Sequence, residues 1–311
     1  MLGAAFGLAF AVTFGANSII TRRGVLRASG SYVANVSILS GPVFFLVIAA
    51  IVGDVFKLGQ FSLQSYFYFA IAGIVHFAFG RTFGYKSLQL IGVTRSNIVT
   101  GLSTIVSVGM AVAFLHEPLT PLVVLGILIS LLGPVLITLK DETIAVGSQD
   151  NIIPGGRAVD RPTLYRGLLY GAGSAIFWGS SPLFIKLGMA SGGTSIIGNL
   201  TSFTAAALFI SPSFVGIKAR RELLNPDFGS LKLALMSGFT TNLAQMLRFL
   251  ALANTSVTVV SLMQRTIPVW SLGFAYAFNR KLESFSPWVL LGNGLLLAGS
   301  ILVMLEQFWP G

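Results

Sequence analysis

Long apolar segments separated by short polar ones run through the whole of this 311-residue chain. A helix needs about 20 apolar residues to cross the hydrocarbon core of a bilayer, and most of these segments have roughly that length without an acidic or basic residue. One segment is interrupted by a single arginine, Arg265. Counting it as one helix, the pattern predicts ten membrane-spanning helices, at 2–21, 31–53, 65–88, 95–115, 121–139, 165–187, 194–215, 230–252, 256–278 and 286–306.

One long polar segment, residues 140–163, separates the first five predicted helices from the last five. Its glycines, prolines and charges predict a linker between two halves, 1–139 and 164–311. Related glycines recur at an offset of 166, Gly126 and Gly133 matching Gly292 and Gly299. Five helices is an odd number, so the second half must cross the membrane in the opposite sense. The sequence therefore predicts an all-α integral membrane protein of two five-helix inverted repeats, the alternative being coincident spacing in a chain with 35 glycines.

Composition agrees with a membrane protein, since 54% of the residues are apolar and only 10% are charged. A soluble protein carries about a quarter charged residues. The net charge of +10 would suit nucleic-acid binding in a soluble protein. Here the basic residues lie in short loops between apolar helices, as the positive-inside rule describes, so no nucleic-acid partner is expected. Cysteine is absent, which excludes disulfides and thiolate metal sites.

Ionisable side chains inside the predicted helices are candidate site residues, because each is costly in hydrocarbon and normally faces a cavity or a partner. Arg265 lies about nine residues, roughly 13 Å, into its helix, near the middle of a 30 Å core. Arg81 and Arg248 lie late in the third helix of each half, and His76 lies about a turn before Arg81. Acidic residues are nearly absent there, so the arginines predict a carboxylate or phosphate on the ligand. The alternative is that Arg81 and Arg248 extend to the membrane surface and Arg265 binds helix-end carbonyls.

Neutral polar side chains in the same layer are further candidates: Asn17, Asn97, Asn199, Asn242, Gln245 and Gln264. Glu117, at the end of the fourth helix, and His76 are the candidate proton carriers. The chain contains no Walker A loop, HExxH or Gly-x-Ser-x-Gly motif, and its two histidines are too few for a metal site. We therefore expect neither an enzyme nor a bound metal or cofactor.

Two stretches of related sequence carry a family resemblance. Residues 80–120 run from one apolar helix through a polar corner into a second that ends in His-Glu-Pro-Leu, and residues 245–282 form a weaker copy in which Thr266 aligns with Thr104. Here the chain resembles the EamA-type carriers of the drug/metabolite transporter superfamily. In such carriers a Trp-Gly pair in the first helix of a repeat borders the central cavity, so the resemblance adds Trp178 to the predicted binding set. The second half departs from the pattern, with Asn-Arg-Lys at 279–281 in place of the corner glutamate.

The resemblance implies a secondary transporter of the bacterial inner membrane that works by alternating access. With the buried arginines, it predicts a small anionic or zwitterionic substrate, such as an amino acid or another carboxylate, moved outward by a monomer or homodimer. A phosphorylated or nucleotide-linked sugar and a lipid-linked anion are alternative substrates. A membrane scaffold or binding subunit without transport activity is the alternative class.

The orientation in the membrane is predicted differently by charge and by resemblance. Sixteen of the 20 Lys and Arg residues follow odd-numbered helices, which places those loops in the cytoplasm and both termini outside. The resemblance implies both termini inside. Following the charges, we expect a reporter that works only in the cytoplasm to be silent when fused after Gly311. A strong signal would show that the charge argument is wrong.

Overall fold

The structure, a computed structural model, describes residues 2–25, 30–141, 161–212, 227–278 and 286–308. Within these residues the regular structure is helical throughout, which confirms the predicted all-α class. The helices are α1 (Leu2–Val25), α2 (Gly30–Val52), α3 (Leu63–Gly73), α4 (Arg81–Gly101), α5 (Ser103–Leu115), α6 (Pro121–Asp141), α7 (Arg161–Ala190), α8 (Ser195–Ile210), α9 (Phe228–Asn254), α10 (Val257–Arg265), α11 (Ile267–Phe278) and α12 (Pro287–Phe308). A 3₁₀ segment, Asp54–Gln60, follows α2, and a π segment, Ile74–Gly80, joins α3 to α4.

Five helical segments are long and apolar enough to cross a membrane: Leu2–Thr21, Tyr32–Val52, Leu63–Ile91, Arg161–Ala190 and Pro287–Leu305. Three shorter apolar helices accompany them: Val99–Leu115, Pro121–Leu136 and Ser195–Ile210. Large apolar side chains such as Ile51 and Leu128 are exposed on these helices, as expected of a surface that faces lipid. Ten spans therefore stays a prediction, while the membrane-spanning character is clear.

The polar corner expected between the third and fourth spans, at 89–94, is not where the backbone breaks. The α-helix continues through this segment to Gly101 and is interrupted at Leu102. The corner residues include no proline, so nothing in them prevents the helix from continuing. The fourth span was predicted to begin at 95, and that boundary is wrong.

The ninth predicted span, 256–278, is also interrupted. α10 ends at Arg265 and α11 begins at Ile267, with Thr266 between them. Pro268 lies in the first turn of α11, where a residue's N–H makes no hydrogen bond within the helix, so a proline is tolerated there. The fourth and ninth predicted spans, which align in the sequence, thus both contain a break.

The chain forms two compact units, and each takes segments from both sequence halves. The first unit comprises Met1–Ala78, Phe184–Ser256 and Trp270–Glu283. The second comprises Phe79–Leu183, Val257–Val269 and Ser284–Gly311. Most of the 140–163 linker, from residue 142 to residue 160, lies outside the described residues.

The core of the first unit lies where α2, α3, α8 and α9 pack together. Phe203 of α8 is fully buried there, with its ring 5.3 Å from that of Phe45 and 4.3 Å from that of Phe77. Gly41 leaves room for this ring, because a Cβ at position 41 would lie 2.2 Å from Phe203. The Ser202 hydroxyl donates to the Phe69 carbonyl (2.7 Å), so α3 and α8 are in close backbone contact.

In the second unit, α6 packs against α12 through the glycines that matched in the sequence. A Cβ on Gly126 would lie 2.7 Å from the Gly299 carbonyl oxygen, and one on Gly133 would lie 2.4 Å from the Gly292 oxygen. The earlier residue of one helix meets the later residue of the other, so α6 and α12 run antiparallel. Small residues allow this close approach of two membrane helices.

A pair of Gly→Ala variants tests this packing. Alanine usually stabilises a helix by about 1 kcal/mol relative to glycine. At Gly109 of α5 a Cβ meets nothing within 4 Å, so we expect Gly109→Ala to leave the thermal unfolding midpoint in detergent unchanged or raised. At Gly133 the Cβ would meet backbone, so Gly133→Ala should lower it. Equal midpoints for the two variants would mean that α6 and α12 are not packed this closely.

Candidate functional site

The eleven side chains that the sequence marks as candidates for the substrate site fall into two groups, one in each compact unit. The first unit holds Asn17, His76, Asn199, Asn242, Gln245 and Arg248. The second holds Arg81, Asn97, Trp178, Gln264 and Arg265. The side chain of Asn97 lies outside the described residues.

Helix α9 carries three of these side chains on one buried face. The helix is capped by Asp227, whose carboxylate accepts a hydrogen bond from the Ser230 backbone N–H (3.1 Å). Asn242, Gln245 and Arg248 follow at intervals of three residues, which places them on one side of the helix. All three are buried in a unit where α9 packs against α1, α2 and α8.

Arg248 is the largest fully buried polar side chain of the first unit, with 2% of its surface exposed. Its Nη1 donates to Gln245 Oε1 at 3.4 Å, and its Nε has no hydrogen-bond partner. A guanidinium carries five N–H donors, and burying a charge without a partner costs several kcal/mol. Among the described residues no carboxylate pairs with Arg248. Its Nε–H is therefore available to an anionic group.

Two buried amides of the same unit offer acceptors. Asn242 donates through Nδ2 to the Ser40 hydroxyl (3.2 Å), and its Oδ1 has no partner. Asn199 of α8 donates through Nδ2 to the Ser195 carbonyl (2.9 Å), and its Oδ1 has no partner either. Buried polar atoms are nearly always paired with protein, water or ligand. The first unit thus combines a buried cationic donor with two acceptors that can bind an ammonium or hydroxyl group.

Asn17, by contrast, is occupied by the protein. Its Oδ1 accepts hydrogen bonds from Thr240 Oγ1 (2.7 Å) and Ser237 Oγ (3.1 Å). The Thr21 hydroxyl, one turn later on α1, bonds to Ser237 Oγ at 2.7 Å. These contacts join α1 to α9, which favours an interhelical role for Asn17 over the predicted substrate contact.

His76 lies in the π segment, where its half-buried ring meets the ring of Phe77 edge-on at 4.8 Å. The sequence does not reveal this π segment, because nearly all residues of Ile74–Gly80 are apolar and a shift in the apolar pattern is not visible there. Such segments occur frequently at functional sites. His76 therefore stays a predicted substrate and proton site.

In the second unit, the two helix breaks meet at Arg265. This residue ends α10, and its guanidinium donates to the Gly101 carbonyl at the end of α4. It also donates to the hydroxyls of Thr104 and Ser103 (3.1 Å for Ser103) in the first turn of α5. A cation at a helix C-terminus is favourable, because unpaired carbonyls concentrate partial negative charge there. The geometry favours the alternative that Arg265 binds helix-end carbonyls.

Helix α10 is anchored on two further sides. The hydroxyls of Ser107 on α5 and Ser261 on α10 bond at 2.7 Å in a buried position. From α12, the Ser300 hydroxyl donates to the Leu262 carbonyl (3.0 Å). Hydrogen bonds to α5 and α12 thus fix the position of α10, the helix that ends at Arg265.

Glu117 caps the other end of α10. Helix α5 closes at His116, which adopts the left-handed conformation (φ 53°), and the Glu117 N–H donates to the Ala111 carbonyl (3.2 Å), a Schellman-type ending. The turn brings the Glu117 carboxylate to the first N–H groups of α10. Oε1 accepts from the Val257 N–H (2.6 Å), and Oε2 accepts from the Thr258 N–H (3.0 Å) and hydroxyl (2.8 Å). A carboxylate suits this position because of the helix dipole.

Variants of Glu117 separate capping from the proton-carrier role expected from the sequence. Glu117→Ala should destabilise the protein by about 1–2 kcal/mol, as loss of a cap does, and lower the thermal unfolding midpoint. Glu117→Gln keeps an acceptor and should transport with an unchanged pH profile. A flat pH profile for Glu117→Gln, together with an unchanged unfolding midpoint for Glu117→Ala, would contradict the capping role and favour the proton carrier.

The other predicted residues of the second unit are placed as follows. The Trp178 ring lies against Gly80 and Gly84, where a Cβ would come within 2.4 and 3.0 Å of it. Arg81 is half-buried at the start of α4, and Gln264 is half-buried in the last turn of α10. The two glycines thus leave the space that the Trp178 ring occupies within the second unit.

One buried acid was not among the predicted site residues. Asp54, at the start of the 3₁₀ segment, is 8% exposed, and its Oδ2 accepts a hydrogen bond from the Thr194 hydroxyl (2.8 Å). Thr194 itself caps α8 by accepting from the Ile197 N–H (3.3 Å). Asp54 directly follows the predicted apolar span 31–53, so the sequence indicates a solvated loop residue. Its burial becomes apparent only from its hydrogen bond to Thr194, 140 residues away.

Comparison with known proteins agrees with this architecture. One solved structure, described only as "Crystal structure of protein", superimposes with a TM-score of 0.75 at 14% identity over 97% of this chain and 96% of that chain. At this identity the similarity shows the fold alone. A comparison with curated proteins gave no match. The sequence profile of the EamA-like transporter family matches residues 1–139 and 165–305. The chain therefore belongs to the EamA-like transporter family of the drug/metabolite transporter superfamily, whose members are membrane transporters.

Proposed function

We propose that this transporter moves a small metabolite with a carboxylate group, and that Arg248 binds the carboxylate. The observation that carries the proposal is a fully buried guanidinium with an unpartnered Nε and one long bond to Gln245. The planar arrangement of its N–H groups matches a carboxylate. Binding of an anion would offset the cost of burying the charge.

Other buried polar atoms of the first unit favour a zwitterion such as an amino acid. The unpartnered oxygens of Asn199 and Asn242 are buried acceptors in the same unit as Arg248 and suit an ammonium group. Arg248 is the one arginine of the described residues that is fully buried in the first unit, and one guanidinium balances a carboxylate better than a doubly charged phosphate. A phosphorylated sugar is for this reason the second candidate.

The mechanism we propose is alternating access between two inverted repeats, with export across the inner membrane. The two regions that match the family correspond to the two sequence halves. Antiparallel packing of α6 and α12 through matched glycines is the contact that inverted repeats produce. Arg265 then has a positioning role, holding α10 against the break between α4 and α5. Export and the inner membrane are part of this proposal and are supported by the family resemblance alone.

Reconstitution tests the proposal. The purified protein is reconstituted in liposomes, and the liposomes are loaded with an unlabelled amino acid, carboxylate or sugar phosphate. Exchange is then measured as uptake of the same compound in labelled form. We expect exchange of at least one amino acid and none of the sugar phosphates. Exchange of sugar phosphates alone would overturn the substrate class, and no exchange across the whole panel would favour a scaffold.

A further inference from the structure

The first unit has a second binding feature, an open apolar groove of 540 Å³ between α2 and α8. Its lining is hydrocarbon almost throughout and includes Val43, Leu46, Leu58, Leu200, Thr204 and Leu208. The Tyr66 hydroxyl donates to the Leu58 carbonyl (2.7 Å), so this side chain presents its ring rather than a free hydroxyl group. The chemistry of the groove suits a hydrocarbon chain.

The groove extends inward from the 3₁₀ segment along α8. This segment follows the apolar span Tyr32–Val52, so it lies where that span reaches the membrane surface. The bond from Thr194 to Asp54 places the beginning of α8 beside this segment. From Leu200 to Leu208 the lining follows one face of α8 for eight residues, or about 12 Å, close to the roughly 15 Å depth of one leaflet.

The size of the groove matches a single acyl chain. A methylene group is similar in size to a water molecule, which occupies about 30 Å³ in the liquid. A groove of 540 Å³ therefore has room for roughly 18 such groups, enough for one fatty acyl chain.

The charge beside the groove indicates the headgroup. Lys57, adjacent to the lining residue Leu58, is exposed on the 3₁₀ segment. Asp54, one turn earlier, is buried with its carboxylate directed to Thr194, so Lys57 is the solvent-facing charge of this segment. Phe56 is 84% exposed beside it, as aromatic residues are at membrane interfaces. We propose that the groove binds one acyl chain of an anionic phospholipid, whose phosphate group contacts Lys57.

Photolabelling tests the acyl chain. The protein is reconstituted in vesicles that contain phosphatidylglycerol with a diazirine in its acyl chain, irradiated and mapped by peptide mass spectrometry. We expect labelling concentrated on α8 between residues 200 and 208. Ala205→Trp, which fills the groove, should reduce this labelling about tenfold, and Ala113→Trp, at an exposed position of α5, should not change it.

A competition experiment tests the headgroup. Competition with unlabelled phosphatidylglycerol should suppress the labelling more strongly than competition with phosphatidylcholine, and Lys57→Gln should remove that difference while Lys57→Arg keeps it. Equal labelling of all lipid-facing helices, or no effect of Ala205→Trp, would overturn the proposal. Crosslinks from the groove to a second copy of the chain would assign it to a dimer interface instead. The outcome does not depend on the transported substrate, so this test and the exchange assay fail independently.

Discussion

Replacing Arg248 with glutamine is expected to reduce transport about 100-fold, because roughly 3 kcal/mol of charge-assisted hydrogen bonding to the substrate is lost. The glutamine keeps a polar group on the buried face of α9 but no positive charge. Arg248→Lys should retain part of the activity, since an ammonium replaces the charge without the planar pair of donors. Lys232→Gln is the matched control, an exposed cation on the same helix.

The same position predicts an unusual effect on stability. Arg248 is buried with one long hydrogen bond, so its charge opposes folding when no substrate is bound. We therefore expect Arg248→Met to raise the thermal unfolding midpoint of the substrate-free protein while abolishing transport. A lowered midpoint would mean that Arg248 is a structural residue, and undiminished exchange by the variant would remove it from the substrate site.

Arg265→Gln is expected to have the opposite effect on stability. The Arg265 guanidinium binds the Gly101 carbonyl and the hydroxyls of Ser103 and Thr104, and without it these groups lose their partner. The loss should destabilise the protein by about 2–4 kcal/mol and lower the unfolding midpoint. Transport should fall through Vmax, with little change in KM, because the helix breaks no longer hold one geometry.

A kinetic measurement separates this positioning role from the substrate contact expected from the sequence. If Arg265 bound the substrate directly, Arg265→Gln would raise KM and leave stability unchanged. Arg248→Gln is measured in the same assay for comparison, since each of the two variants removes one cation from a helix. A raised KM for Arg265→Gln at unchanged stability would overturn the positioning role and support the substrate contact.

Much of the helical architecture is visible in the sequence because hydrocarbon excludes charge. The fifth span was predicted at 121–139 and α6 covers Pro121–Asp141, and the last was predicted at 286–306 and α12 covers Pro287–Phe308. The interruption at Leu102 could not be predicted in this way. Leu102 is apolar, so a break there leaves no trace in the hydropathy, whereas Gln89, Gly92 and Thr94 resemble a corner and are helical.

The residue types of the candidate site could be predicted from the sequence, but their hydrogen-bond partners could not. Buried arginines stand out in an apolar sequence, and both Arg248 and Arg265 were identified on that ground. Which of them has protein partners depends on tertiary contacts, and Thr104 lies 161 residues from Arg265. The same holds for Glu117, whose helix-capping contacts are about 140 residues away. A sequence pattern of period 3.6 contains no information about such distant pairs.

The central claim, that Arg248 recognises a carboxylate, is tested most directly by matched substrates. Exchange in liposomes is measured for an amino acid that the wild-type protein transports, for its amide, in which a neutral group replaces the carboxylate, and for the amine that lacks the carboxyl group. We predict that wild type prefers the amino acid over both analogues by about 100-fold and that Arg248→Gln transports all three at one low rate. A preference that survives unchanged in Arg248→Gln would contradict the account.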